Sequence, residues 1–221
     1  MTMKNKLTTF YIVRHGESDG NIGKGNNHSF GKGSALTEKG KDQARSLATT
    51  LKNISFDALF SSDLIRAEQT AEIIALENKI TVNTTKRLRE RTLAPYFKKH
   101  PNKTRLDVEK ELQKAFENLS DKSKMAYKLD EDIESAQEAT SRFITFLREI
   151  AVACKGKIIL IVCHGNLMRT LLAHLGWATY DELPKDAIKN SGYIVLESDG
   201  VDMFIKDVQG ATKIIGAKRG W

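Results

Sequence analysis

Short apolar runs alternate along this chain with longer stretches in which apolar residues recur every three or four positions. Runs of the first kind read as strands, and the second spacing is what one buried face of a helix requires. Tyr11-Ile12-Val13 opens the series as a buried strand that stops abruptly at Arg14-His15-Gly16. Thr37 then caps a helix with Ala44, Leu47, Ala48 and Leu51 on one face. Asp57-Ala58-Leu59-Phe60 reads as a second strand, after which Ser61-Ser62-Asp63 supplies N-cap chemistry for a helix carrying Leu64, Ala67, Ala71 and Ile74. Ile80-Thr81-Val82 is a third strand. Ile133, Ala136, Thr140, Phe143, Leu147, Ile150 and Cys154 mark a long helix closed by Gly156. The most hydrophobic run, Ile158-Ile159-Leu160-Ile161-Val162, suits a central strand buried on both faces. It ends at His164-Gly165-Asn166, and a helix through Met168, Leu171, Leu172 and Leu175 follows. Residues 191–197 and 201–208 are strands joined at Ser198-Asp199-Gly200, a short hairpin signal.

This alternation predicts an α/β chain: a three-layer α/β/α sandwich around a mostly parallel central sheet. Residues 94–128 break the rhythm with Pro95, Pro101 and a basic cluster at Lys98, Lys99, His100, Lys103 and Arg105, ahead of a helix bearing Val108, Leu112, Ala115, Phe116 and Leu119. That stretch is read as a helical insertion, a cap over the active site, within a single domain spanning residues 1–221. Residues 19–33, rich in Gly, Asn and Lys, form an irregular loop placed to wall the pocket. The tail at 217–221 is expected to be loose.

Composition narrows the partners. The formal charge of +7 implies attraction to anions. Nucleic acid is disfavoured, because Lys and Arg are dispersed without interleaved aromatic platforms or a reader motif. The polar, basic start at residues 1–6 has no apolar segment behind it and no run is long enough to span a membrane, so a cytoplasmic protein without membrane contact is expected. Cys154 and Cys163 are too few for a disulfide framework. The oligomeric state is left open, with a homodimer among the options.

The candidate chemistry lies at the strand ends. An imidazole attacks phosphorus through a neutral ring nitrogen, and a neighbouring guanidinium both disfavours its protonation and grips phosphate oxygens. Arg14-His15 fits that description, although a surface Arg-His pair without chemistry fits the stretch from Tyr11 to Ser18 equally well. Arg66 falls in the first turn of a helix just past a strand end, where open α/β sheets bind anions. Both His-Gly elements terminate central strands, which places His15 and His164 along one carboxyl edge.

With these elements in order, the sequence resembles the histidine phosphatase superfamily, which includes the cofactor-dependent phosphoglycerate mutases. Five matches carry the resemblance: Arg14-His15-Gly16-Glu17-Ser18 with Asn21; Leu36-Thr37-Glu38-Lys39-Gly40; Ser61-Ser62-Asp63-Leu64 leading to Arg66 and Gln69-Thr70-Ala71; Leu88 with Glu90; and Val162-Cys163-His164-Gly165. The resemblance implies a phosphomonoester hydrolase in which His15 becomes a phosphohistidine, with Arg14, Arg66 and His164 holding the phosphoryl group. Glu90 would protonate the leaving oxygen and then deprotonate the attacking water. Asn21, Gly165 and Asn166 are candidate contacts to a small phosphorylated substrate, and Glu17 is expected behind them, orienting His15. No cofactor is implied. No metal is implied either, since His28, His100 and His174 lack ligand spacing.

After Glu90, Arg91-Thr92-Leu93-Ala94-Pro95-Tyr96 matches neither the Trp-Glu-Gly of many phosphatases in the family nor the Gly-Gly-Leu and Arg-Arg-Ser-Tyr of its mutases. Hydrolysis is therefore favoured, with mutase-type phosphoryl transfer as the alternative. Two rivals lie outside that chemistry. Cys163 and Arg169 have the Cys-x5-Arg spacing of cysteine phosphatases, a reading that leaves Arg14, His15, Arg66 and Glu90 without roles. The other is a non-catalytic phosphate-binding scaffold on the same fold.

Overall fold

The computed structural model describes residues 6–23 and 33–214. Six strands are found there: β1 (Thr8–Arg14), β2 (Ala58–Ser62), β3 (Val82–Thr85), β4 (Ile158–Cys163), β5 (Ile188–Ser198) and β6 (Met203–Ala211). They form one sheet in the order β3-β2-β4-β1-β5-β6, with β3, β2, β4 and β1 mutually parallel and β5 antiparallel to both its neighbours. The helices are α1 (Glu38–Leu51), α2 (Ile65–Asn78), α3 (Ala94–Lys99), α4 (Arg105–Phe116), α5 (Asp121–Ala126), α6 (Ala136–Ala153) and α7 (Gly165–His174).

Alternation within the two central strands explains the layers. Phe10 and Ile12 of β1, with Ile159, Ile161 and Cys163 of β4, pack on Phe143, Leu147, Leu171 and Leu172 of α6 and α7. Val13, Leu160 and Val162 point the other way, onto Leu47 and Ala48 of α1 and Ala71 and Ile74 of α2. Both faces are therefore covered, as a continuous apolar run such as that of β4 requires. The three-layer α/β/α architecture is as expected from the sequence. Helices α3 to α5 occupy the 94–128 segment, where Tyr96, Phe97 and Val108 build a small core of their own with Ile133. Among the described residues no helix is long and apolar enough to cross a membrane.

Several boundaries fall elsewhere than the pattern suggested. Lys79 ends α2 in the left-handed region at φ 52°, and Ile80 N–H still donates to Ala75 O, so the third strand starts at Val82 rather than Ile80. Ser61 and Ser62 belong to β2 and do not cap α2, whose N-cap is Leu64 with no side-chain hydrogen bond. Asp63 turns instead to Arg89. Strand β5 begins at Ile188, three positions before the expected start. Strand β6 begins at Met203 because the Asp199 carboxylate accepts from the N–H groups of Val201 and Asp202, holding both in the turn. Most of the loop expected to wall the pocket, residues 24–32 with His28, lies outside the described residues, as does the tail at 217–221.

The register matters most for the site. Arg14 pairs with Cys163 across β1 and β4, so the next residue of each strand, His15 and His164, emerges side by side at the carboxyl edge of the sheet. Strand β2, beside β4, delivers Ser62 to the same edge.

Candidate active site

His15 is buried, 3% exposed, and its ring is held at both nitrogens. Nδ1 lies 2.7 Å from the carbonyl oxygen of Gly16, and Arg66 Nε–H donates to Nε2 at 3.0 Å. A carbonyl only accepts, and the guanidinium only donates. The proton of a neutral ring therefore sits on Nδ1, and Nε2 keeps its lone pair. Burial, and then the positive charges of Arg66 and Arg14, hold the imidazole well below its ordinary pKa, against a smaller upward pull from the Gly16 carbonyl.

His164 caps the N-terminus of α7 and faces His15 edge-on, with ring centroids 5.1 Å apart. Its Nε2 lies 2.8 Å from Ser62 Oγ, which also accepts from Leu64 N–H. Its Nδ1 is a buried atom without a hydrogen-bond partner. Burial first, then Arg66, His15 and Arg14, lower this imidazole well below its usual range too.

Arg14 places its guanidinium on the same hollow. One terminal nitrogen donates to Ile188 O, while Nε is buried and unpartnered. A Cβ on Gly165 would stand 2.8 Å from that Nε, so the helix start has to be glycine for Arg14 to lie flat on it. Burial lowers the pKa of Arg14 and of Arg66; Asp186 and then Glu90 oppose this at Arg14, and Glu90 opposes it at Arg66. Two guanidinium groups facing one hollow, with an orphaned donor on Arg14 and an unpartnered Nδ1 on His164, suit it to a small anion.

Glu90 is anchored through both oxygens, Oε1 accepting from Arg91 N–H and Oε2 from Asn166 N–H, each at 2.9 Å. Its flanking arginines face away: Arg87 pairs with Glu149, Arg89 with Asp63, and Arg91 donates to Glu134 O. Arg142 clamps the backbone from behind, donating to the carbonyls of Arg87 and Arg89.

The structure thus brings Arg14, His15, Arg66, Glu90 and His164 together. Gly165 serves as the floor under Arg14, and the backbone of Asn166 holds Glu90. Asn21 folds back, its Oδ1 accepting from the N–H and hydroxyl of Ser18. Glu17 does not orient His15: its carboxylate reaches Lys39 and Thr37, tying the loop to the start of α1, and the Gly16 carbonyl takes the expected role. Ser62, Thr70, Asn190 and Arg142 escaped the sequence reading as site residues. The first two sit inside recognised motifs, in which Ser62 reads as a helix cap and Thr70 has no role of its own; Asn190 lies where the pattern showed no strand.

The cysteine rival finds no support here. Cys163 points into the core against α6 and α7, and burial pushes its thiol pKa far upward. Arg169 donates to the carbonyls of Leu183 and Tyr180 and lies over the Tyr180 ring at 3.9 Å, turned to the chain's own backbone.

Residues 10–209 match the histidine phosphatase superfamily (branch 1), and the chain belongs to it. Its relatives include both phosphatases and mutase-like proteins. A probable phosphoglycerate mutase, GpmB, of Escherichia coli is 31% identical over 172 residues, covering 76% of each chain. Among solved structures, Bacillus stearothermophilus YhfR is 27% identical with a TM-score of 0.73, covering 93% of this chain and 98% of its own. A mycobacterial glucosyl-3-phosphoglycerate phosphatase shares the fold at 22% identity, TM-score 0.68, covering 94% of this chain and 100% of its own.

Proposed function

We propose that this protein is a phosphomonoester hydrolase that works through a phosphohistidine on His15. The observation that carries the reading is the proton arrangement on that ring, with Nδ1 committed to the Gly16 carbonyl and an unprotonated Nε2 facing the anion hollow. On binding, Arg66 Nε–H passes its hydrogen bond from the ring to a phosphoryl oxygen. Arg14 Nε and His164 Nδ1 gain acceptors at the same moment, so the oxygens that carry the transition-state charge meet fixed donors.

The His15 Nε2–P bond then forms as the ester P–O bond breaks, and protonated Glu90 gives its proton to the departing oxygen. In the second half Glu90 takes a proton from water, the water oxygen bonds to phosphorus, and the N–P bond breaks to release phosphate and restore neutral His15. Glu90 suits both roles by position, being within electrostatic reach of Arg14 and Arg66 and lining a cavity of about 240 Å³ together with Lys86, Arg89, Asp132, Glu134 and Arg142. The helical segment 94–128 serves as a cap, with Arg105 at the start of α4 within electrostatic reach of Arg66. The substrate is a small phosphorylated molecule met in the cytoplasm. Asn21 completes the loop that borders the bound group.

The test is phosphate release from p-nitrophenyl phosphate by the wild type and by His15→Ala, with a bisphosphate-primed mutase assay in parallel. Turnover lost in a folded His15→Ala protein supports the reading, and retained turnover ends it. Phosphoryl return to a monophosphate acceptor faster than release to water would favour the mutase alternative.

A further inference from the structure

We infer that Asn190, carried on a bulge in β5, is a positioning residue that sets which ring nitrogen of His15 is free to attack. The inference rests on the reading of His15 as the nucleophile. The peptide unit joining His15 to Gly16 is held at both ends by side chains from other elements. Its carbonyl accepts from Asn190 Nδ2 at 3.0 Å, and its N–H donates to Thr70 Oγ1 at 3.1 Å, the threonine being tied in turn to Arg66 O. The peptide is planar, so fixing its oxygen and its hydrogen fixes the direction in which the chain leaves it. The next carbonyl, that of Gly16, is the one that holds His15 Nδ1. Rotating the His15–Gly16 peptide would carry that acceptor away and leave the Arg66 donor at Nε2 as the one remaining contact that distinguishes the two neutral tautomers of the ring.

Glycine at position 16 makes the hold necessary, because its backbone has no Cβ to confine it. A second hydrogen of the Asn190 amide reaches toward Asn21 Oδ1 at 3.5 Å, joining the turn that Asn21 closes over Ser18 to the same anchor.

The local fold of β5 is arranged for this purpose. The register with β6 shifts between Ile188 and Tyr193, so Asn190 stands outside the regular ladder. Ser191 takes the left-handed conformation at φ 58°, which side chains rarely adopt, and its hydroxyl is buried without a partner. Within the bulge Gly192 approaches β6 so closely that a Cβ on it would lie 2.9 Å from Gln209 O, and one on Gly210 opposite would lie 3.0 Å from Gly192 Cα. Just before the bulge, Ile188 O accepts from Arg14. One irregular segment therefore touches both the phosphate-gripping guanidinium and the nucleophile's backbone.

The experiment uses the full chain with ¹⁵N-labelled histidine, in the wild type, Asn190→Asp and Asn190→Ala. Aspartate keeps the shape and loses the donor; alanine adds no charge and remains readable if the aspartate variant does not fold. Nitrogen chemical shifts should report a protonated Nδ1 and bare Nε2 for wild-type His15, and a population with protonated Nε2 in the variants. On p-nitrophenyl phosphate kcat should fall about tenfold or more while KM moves less than twofold, the mark of an interaction that matters in the transition state. An unchanged tautomer in Asn190→Ala, or an unchanged kcat, overturns the inference. Because the tautomer is read without substrate, that failure is separate from retained turnover in His15→Ala, which would remove the nucleophile itself.

Discussion

The chemistry of this site is set by where single protons and lone pairs are allowed to be. His15 and His164 are both buried beside two guanidinium groups, which keeps them neutral, and the partners of the His15 ring fix where its proton sits. Nε2 of His15 offers a lone pair, and Nδ1 of His164 is a buried ring nitrogen without a partner. Glu90 is the group whose charge must change twice, and its two backbone anchors hold it still while it does so. In Glu90→Gln one of the two acceptor oxygens becomes an NH2 group and the base is gone. With a good leaving group the first half-reaction survives, so phosphoenzyme should accumulate in an alkaline quench while steady-state turnover falls by about 10²-fold or more. Unchanged turnover would remove Glu90 from the mechanism. Arg14, His15, Arg66 and His164 were legible in the sequence because strand ends and first helical turns are positions where a motif fixes a place in space. Asn21 and Asn166 were legible as neighbours, but not the groups they bond, since a side chain's partner depends on elements remote in the chain.

Among elements, the motif Leu36-Thr37-Glu38-Lys39-Gly40 owes its place near the site to a backbone contact. Glu17 O accepts from Thr37 N–H, Leu36 N–H donates to Gln69 Oε1, and Glu17 N–H donates to Gln43 Oε1. The loop after β1, the start of α1 and the first turns of α2 are thereby tied together. The approach is so close that a Cβ on Gly40 would lie 1.9 Å from Glu17 O, and one on Gly16 would lie 2.3 Å from Gly40 O. No flexible side chain is available to yield there. Gly40→Ala should therefore destabilise by about 3 kcal/mol, lowering the melting temperature by roughly 6–12 °C in a chain of this size. It should also lower turnover, because the displaced loop carries Gly16. An unchanged melting temperature would mean that the two backbones part without cost. Among the described residues the periodicity located all six strands and the longer helices, since burial on one or both faces leaves a 2- or 3.6-residue signature. It misplaced the ends of β3, β5 and β6, which are set by the left-handed Lys79, by the bulge and by the Asp199 turn, features decided by neighbouring backbone.

For the molecule as a whole, keeping two imidazoles neutral in a cationic hollow couples folding to pH. Both histidines have folded-state pKa values below their unfolded value of about 6.5. Above that pH neither state binds the proton and the contribution to stability is complete. As the pH falls through the unfolded value, the unfolded chain takes up protons that the folded chain refuses, and stability is lost until the lower folded values are reached. Each histidine contributes a slope of up to about 1.4 kcal/mol per pH unit in that window. The carboxylates act lower down. Asp63, held by Arg89, has its pKa lowered from an already acidic value, so its share is present above about 4 and is lost only as the pH falls further. The two windows are separable. Urea unfolding of the wild type between pH 7.5 and 5.5 should show a falling free energy, and His15→Ala should show a visibly shallower fall. Both imidazoles are depressed first by burial and then by the charges of Arg66 and Arg14, and inorganic phosphate brings negative charge against that second cause. A saturating concentration should raise their folded-state values and flatten the wild-type slope, while leaving the acid limb below pH 4 to the carboxylates. A slope that neither the substitution nor phosphate alters would place the titrating groups outside this hollow and would break the link between its electrostatics and the stability of the fold.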